Sequence, residues 1–314
     1  MDRRDLLKGA ATVAAAWTAA RVVTAAAQSE AADARLFPGF RTERVKTSGA
    51  EIQCVIGGEG PPLLLLHGAP QTHASWHACA PELAKHYTVV AADLRGYGDS
   101  SKPEDGENHA NYSKRAMAQD QIEVMQHFGF ERFRAVGHDR GGRVIRRMAL
   151  DHPERVERAA VLDIVPAHYL YNHLTKEFVE AYFHWFLFIR PAPFPENIIN
   201  ADLERWGGRG NSPASAEYRR ALSNPAMVHA MCEDYRASAS IDLELDEADS
   251  DKKIQCPLLV LWAERGTMGR LYDVLGIWRE EGTNVTGKAM PGGHSFHESH
   301  PQETLAELLP FLAA

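Results

Sequence analysis

The chain has 314 residues, 45% of them hydrophobic and 24% charged, with 24 Gly, 17 Pro and 4 Cys. These values exclude collagen-like, disordered and disulfide-scaffold chains and supply enough apolar residues for a sizeable core. A formal charge of −8 repels phosphate backbones and argues against a nucleic-acid partner.

Residues 1–27 read as a twin-arginine-type export leader. Arg3-Arg4 precedes Asp5-Leu6-Leu7-Lys8, a weakly apolar Ala-rich run and the small residues Ala25-Ala26-Ala27, after which cleavage is expected. The run is too short and too rich in Ala for a stable membrane span, so an exported, periplasmic protein is expected. Export would permit disulfides, but Cys54, Cys79, Cys232 and Cys256 show neither CxxC nor metal-ligand spacing and read as free thiols. After a polar stretch from Gln28 to Arg35, strands are predicted at Ile52–Ile56, Pro62–Leu66, Tyr87–Ala91, Arg134–Gly137, Ala159–Asp163, Leu258–Leu261 and Val285–Ala289. The unbroken runs Leu63–Leu66 and Leu258–Leu261 suit strands covered on both faces. Helices are predicted at Ser75–His86, Tyr112–Phe128, Gly142–Asp151, Leu271–Arg279 and Glu303–Leu312. This alternation predicts an α/β fold with a mostly parallel sheet wrapped by helices. It breaks over an aromatic-rich stretch, so residues 166–250 are predicted to be an inserted helical cap between core segments 28–165 and 251–314.

The strongest local signal is Val136-Gly137-His138-Asp139-Arg140-Gly141-Gly142, an apolar strand running through a small-residue turn into a helix. Such a turn lifts its central side chain above the sheet edge. Here that residue is an Asp. A carboxylate is anionic at neutral pH, attacks an sp³ carbon without a base, and needs one only to hydrolyse the resulting ester. A Ser esterase is therefore disfavoured. Asp93 and Asp99 flank a loop after another strand and read as turn residues.

The sequence resembles the α/β-hydrolase superfamily and, within it, the haloacetate (fluoroacetate) dehalogenases. The resemblance rests on His67-Gly68-Ala69-Pro70-Gln71-Thr72-His73, Asp93-Leu94-Arg95-Gly96-Tyr97-Gly98, the stretch from His138 to Arg143, Val161-Leu162-Asp163-Ile164, Phe183-His184-Trp185 and Cys232-Glu233-Asp234-Tyr235-Arg236, with Gly293-His294 near the end. It implies an α/β-hydrolase fold with Asp139 as nucleophile, His294 as the base that activates water and Asp163 as the acid that orients it. His297 and His300 compete with His294 for the base, and Glu264 with Asp163 for the acid. Three histidines at this spacing also raise a metal reading, which the resemblance sets aside: the family uses no metal, and no organic cofactor is expected. His297 stands where this family carries a proline.

Arg140 and Arg143 lie three apart on one helical face, and two guanidiniums there fit a substrate carboxylate. Arg146 and Arg147 read as structural ion-pair partners. His184, Trp185 and Tyr235 match the family's halide pocket, and the backbone N–H groups of Ala69 and Arg140 its oxyanion hole. The expected partners are thus a small halogenated carboxylate and water, and dimers are common among such enzymes. One rival is an epoxide hydrolase using the same Asp-His-Asp set, with Tyr169, Tyr171, Tyr182 or Tyr235 protonating the ring oxygen. The other is a homologue that binds ligand without turnover.

Overall fold

The computed structural model describes residues 29–207 and 210–314. The export leader read at residues 1–27 lies outside them. Eight strands form one sheet: β1 (Arg41–Lys46), β2 (Glu51–Gly57), β3 (Pro62–Leu66), β4 (Thr88–Ala92), β5 (Phe133–His138), β6 (Val156–Leu162), β7 (Leu258–Ala263) and β8 (Val285–Met290). Their order is β1-β2-β4-β3-β5-β6-β7-β8. The first two strands run antiparallel to their neighbours, and all pairings from β4 onward are parallel.

The continuous Leu runs have a simple origin. In β3, Leu64 and Leu66 enter the apolar cluster on one face of the sheet, and Leu63 and Leu65 the cluster on the other. Leu258/Val260 and Leu259/Leu261 of β7 divide in the same way. Period-two alternation with apolar residues at every position is what a sheet with two covered faces requires.

Several elements differ from expectation, among them the helix expected over Leu271–Arg279, which breaks after Leu271 and restarts at Val274 behind the Asp273 cap. The polar stretch after residue 28 is helical over 29–36, where Leu36 is buried beside Phe37. Strand β1 has no predicted counterpart, because only Val45 of Arg41–Lys46 is buried, as suits an edge strand. The single helix expected over Ser75–His86 is a 3₁₀ turn at His73–Trp76 and a separate short helix at Ala80–Leu83, with Pro81 in its first turn.

Between β6 and β7 the described residues make eight helices, from Ala167–Asn172 to Ile241–Ala248. The longest, Pro225–Ser238, is capped by the Asn224 side chain and carries Asp234 and Tyr235. All four cysteines are free, with only Cys256 reaching the surface in part. No helix among the described residues is long and apolar enough to cross a membrane.

Candidate active site

The carboxyl ends of the parallel strands place the site residues. Ala69 follows β3, Asp139 follows β5, Asp163 follows β6 and His294 follows β8. Asp139 sits at φ 45° and ψ −115°, a conformation that favours glycine. The turn holds it there because Gly137 and Gly141, two residues to either side, lack side chains. A Cβ on Gly137 would lie 2.6 Å from the Gly141 backbone, and one on Gly141 would lie 2.6 Å from the backbone of Leu66 and His67. The Asp139 carboxylate makes no hydrogen bond that caps the helix Arg140–Asp151 behind it.

One carboxylate oxygen, Asp139 Oδ2, accepts from Ala69 N–H at 3.1 Å. Arg140 is the first residue of the following helix, where a backbone N–H has no intrahelical acceptor. His294 Nδ1 donates to Asp163 Oδ2 at 2.6 Å, and Asp163 Oδ1 accepts from Ala263 N–H at 2.8 Å. Asp163, too, is held at positive φ, 53°. Glu264 is exposed. His300 Nδ1 bonds to Ser299, and His297 is buried between the rings of His138 and Trp76. The three histidines do not converge as metal ligands. Among the described residues only Asp105, His229 and Glu233 lie close enough to share an ion, and His229 already bridges Asp105 and Glu196 there.

The two arginines differ. Arg140 is fully buried, and its guanidinium forks onto Asp234, with Nε 2.8 Å from Oδ2 and Nη2 2.7 Å from Oδ1. Lys114 also pairs with Asp234, and Ser238 accepts from Arg140 Nη2. Most of Arg140 is thus committed to a buried ion pair. What remains is Nη1, which has no partner. Arg143 donates Nη1 to the Val165 carbonyl at 2.8 Å and leaves Nε without a partner. Sequence reasoning missed Asp234, although it stands next to Tyr235 in the CEDYR motif. Arg146 pairs with Asp246 and Glu281, and Arg147 with Asp151 and Asp249, as structural ion pairs.

A cavity of about 380 Å³ is lined by Asp139, His294, His184, Trp185, Tyr235 and Tyr182 among others. The Arg140 guanidinium lies over the Tyr235 ring, 4.2 Å from its centre, and that of Arg143 over the Trp185 ring at 4.8 Å, so both cations stack on aromatic side chains that line the cavity. Burial alone would raise the Asp139 carboxyl, but His294, His138, Arg140 and Arg143 together hold it below the usual value. Burial lowers His184 to about 4, which keeps it neutral. Burial also lowers His294, yet the Asp163 hydrogen bond and charge, with help from Asp139, bring it above the ordinary imidazole value. Tyr235 is raised by burial and by the Asp139 charge, so its hydroxyl stays a donor.

Residues 61–301 match the family model described as "alpha/beta hydrolase fold". A fluoroacetate dehalogenase from Burkholderia sp is 46% identical over 290 residues, 88% of this chain and 95% of that protein. A soluble epoxide hydrolase from Corynebacterium sp. is 30% identical, over 85% of this chain and 95% of its own. Among solved structures, an alpha/beta hydrolase, so described provisionally, from Nostoc sp PCC 7120 is 52% identical with a TM-score of 0.84, covering 87% of this chain and 98% of that one. The chain therefore belongs to the α/β-hydrolase superfamily and, within it, to the haloacetate dehalogenases, hydrolases of the carbon–halogen bond.

Proposed function

We propose that the protein hydrolyses a 2-haloacetate, fluoroacetate or chloroacetate, to a 2-hydroxy acid and halide through an ester on Asp139. One observation carries this reading: a buried carboxylate at a strand-end turn stands with two guanidiniums that each keep a buried, unpartnered nitrogen, Arg140 Nη1 and Arg143 Nε. Unpaired buried donors are costly, and a substrate carboxylate satisfies both at once. The Burkholderia relative supports the same substrate class.

With Oδ2 held by Ala69 N–H, Asp139 Oδ1 is the attacking atom. It forms a bond to C2 as the carbon–halogen bond breaks and its electron pair leaves with the halide. Trp185, Tyr235 and neutral His184 offer N–H and O–H groups as that charge develops. His294 then removes a proton from water, the hydroxide adds to the Asp139 ester carbon, and the oxyanion on Oδ2 draws on the N–H groups of Ala69 and Arg140. Collapse releases the hydroxy acid with the former Oδ1, protonated by His294, and the new acid on Asp139 ionises. No step requires a metal or an organic cofactor. We further propose that residues 166–250 act as the cap over core segments 28–165 and 251–314, and that residues 1–27 direct export to the periplasm.

Halide release from fluoro-, chloro- and bromoacetate, measured beside diol formation from a neutral epoxide, tests this function. Haloacetate turnover with hydroxy-acid formation is expected. Tyr182 and Tyr235 both line the cavity, so diol formation without halide release would instead identify an epoxide hydrolase. Neither product would identify a binding protein.

The pH profile has a defined sign. His294 acts as base only when neutral, so kcat falls as pH drops through its titration. In the resting enzyme the Asp139 anion helps to raise His294. Esterification removes that anion, so the acid limb of kcat is expected below the His294 titration seen by NMR in the resting enzyme. A limb at or above that titration would contradict the sequence of events.

A further inference from the structure

Beside the site, the buried Gln71 and His138 and the half-buried Glu298 form a chain that ends on the backbone of His294. His138 Nε2 lies 2.9 Å from the His294 carbonyl oxygen, and His138 Nδ1 3.1 Å from the Gln71 amide. The other end of that amide lies 2.6 Å from Glu298 Oε1 and 3.3 Å from Ser295 Oγ.

Proton bookkeeping restricts this chain. A carbonyl only accepts, so His138 Nε2 must carry a proton. If the Gln71 oxygen faces His138, Nδ1 needs a proton as well, which makes a buried imidazolium at His138. If the amide is turned, its NH₂ donates to Nδ1, and its oxygen faces Glu298, which must then be the acid. Either way the chain holds one proton more than a neutral histidine and a carboxylate, and only the second arrangement avoids a charge on the buried His138. Distance agrees: 2.6 Å is short for N–H···O and ordinary for O–H···O. Among the described residues, no Lys or Arg forms an ion pair with Glu298. The groups near it are Gln71, Tyr218 and Ser212, with the Cys79 thiol and Ser295 beside them. His138 faces His294, His297, Asp139 and Asp163. The directions of titration match: burial raises Glu298, and burial with the neighbouring His294 lowers His138 to about 3.

We propose that Glu298, Gln71 and His138 are positioning residues that hold the His294 backbone through a one-proton clamp, in which Glu298 is a carboxylic acid, and that ionisation of Glu298 limits turnover at alkaline pH. Losing that proton leaves the Gln71 oxygen against a bare carboxylate. The amide then turns, His138 loses its donor at Nδ1, and the loop carrying His294 loses its anchor. The effect on turnover rests on His294 acting as the base; the protonation state of Glu298 does not.

Two measurements test the clamp on the full chain. Infrared difference spectra between neutral and alkaline pH should show a protonated-carboxyl stretch in the native protein that is missing in Glu298→Gln; no such band at neutral pH would overturn the proposal, even if the variant fails to fold. In kinetics, the Glu298→Gln amide can donate to the Gln71 oxygen as the acid does. It should keep kcat at neutral pH to within about threefold and move the alkaline limb upward. Glu298→Ala should lower kcat about tenfold or more with little change in KM. An alkaline limb unmoved in Glu298→Gln would also overturn the proposal. The carboxyl band present in a protein that releases no halide would leave the clamp standing and sink the dehalogenase reading instead.

Discussion

His294→Asn protein mixed with fluoroacetate or chloroacetate is expected to release one equivalent of halide and stop, carrying a carboxymethyl group on Asp139. The first step needs only an ionised Asp139; the variant loses the His294 contribution, but His138, Arg140 and Arg143 still lower the carboxyl against the burial that raises it, and neutral pH lies well above the usual carboxylate range. The second step needs a proton acceptor, and the imidazole held by Asp163 at 2.6 Å is the group placed to serve. Losing a general base costs about 10²–10⁴-fold in rate, enough for the ester to outlast intact-mass measurement. Peptide mapping should put the added mass on Asp139. A variant that stays unmodified while releasing no halide would mean that His294 acts before the carbon–halogen bond breaks.

Arg143→Leu should lower kcat/KM for haloacetates about 10- to 100-fold, the worth of a hydrogen bond to a charged group. It should affect the uncharged analogue 2-bromoacetamide far less, because the lost group pairs with a carboxylate. Arg140→Leu is a different experiment. It removes the fork from Asp234 and leaves that carboxylate with Lys114. Breaking a buried ion pair costs about 3–5 kcal/mol, so this variant should be impaired in denaturant titration as well as in turnover. Equal losses on haloacetate and bromoacetamide in Arg143→Leu, with unchanged stability, would remove the carboxylate-binding role.

Leu63–Leu66 announced a strand because both faces of β3 are covered, whereas Arg41–Lys46 was silent because an edge strand buries one residue. Asp139 was visible because a turn this tight admits only small neighbours, a local demand written in adjacent letters. Asp163 and His294 lie 131 positions apart and were found only through resemblance. The tie between Arg140 and Asp234 left no local sign, since its partners come from a core helix and a helix more than ninety positions later. Gln71 and Glu298 escaped for the same reason: neither is a nucleophile or a base, and their meaning appears only when donors and acceptors are counted in three dimensions.

The central claim is that an oxygen of Asp139, and not one from solvent, makes the new bond to carbon. A single turnover with enzyme in excess over fluoroacetate, run in water enriched in ¹⁸O, tests it most directly. The account requires unlabelled hydroxy acid and one ¹⁸O in the peptide that contains Asp139. Label in the hydroxy acid at first turnover, with an unlabelled Asp139, would show that water attacks carbon directly and that no ester forms.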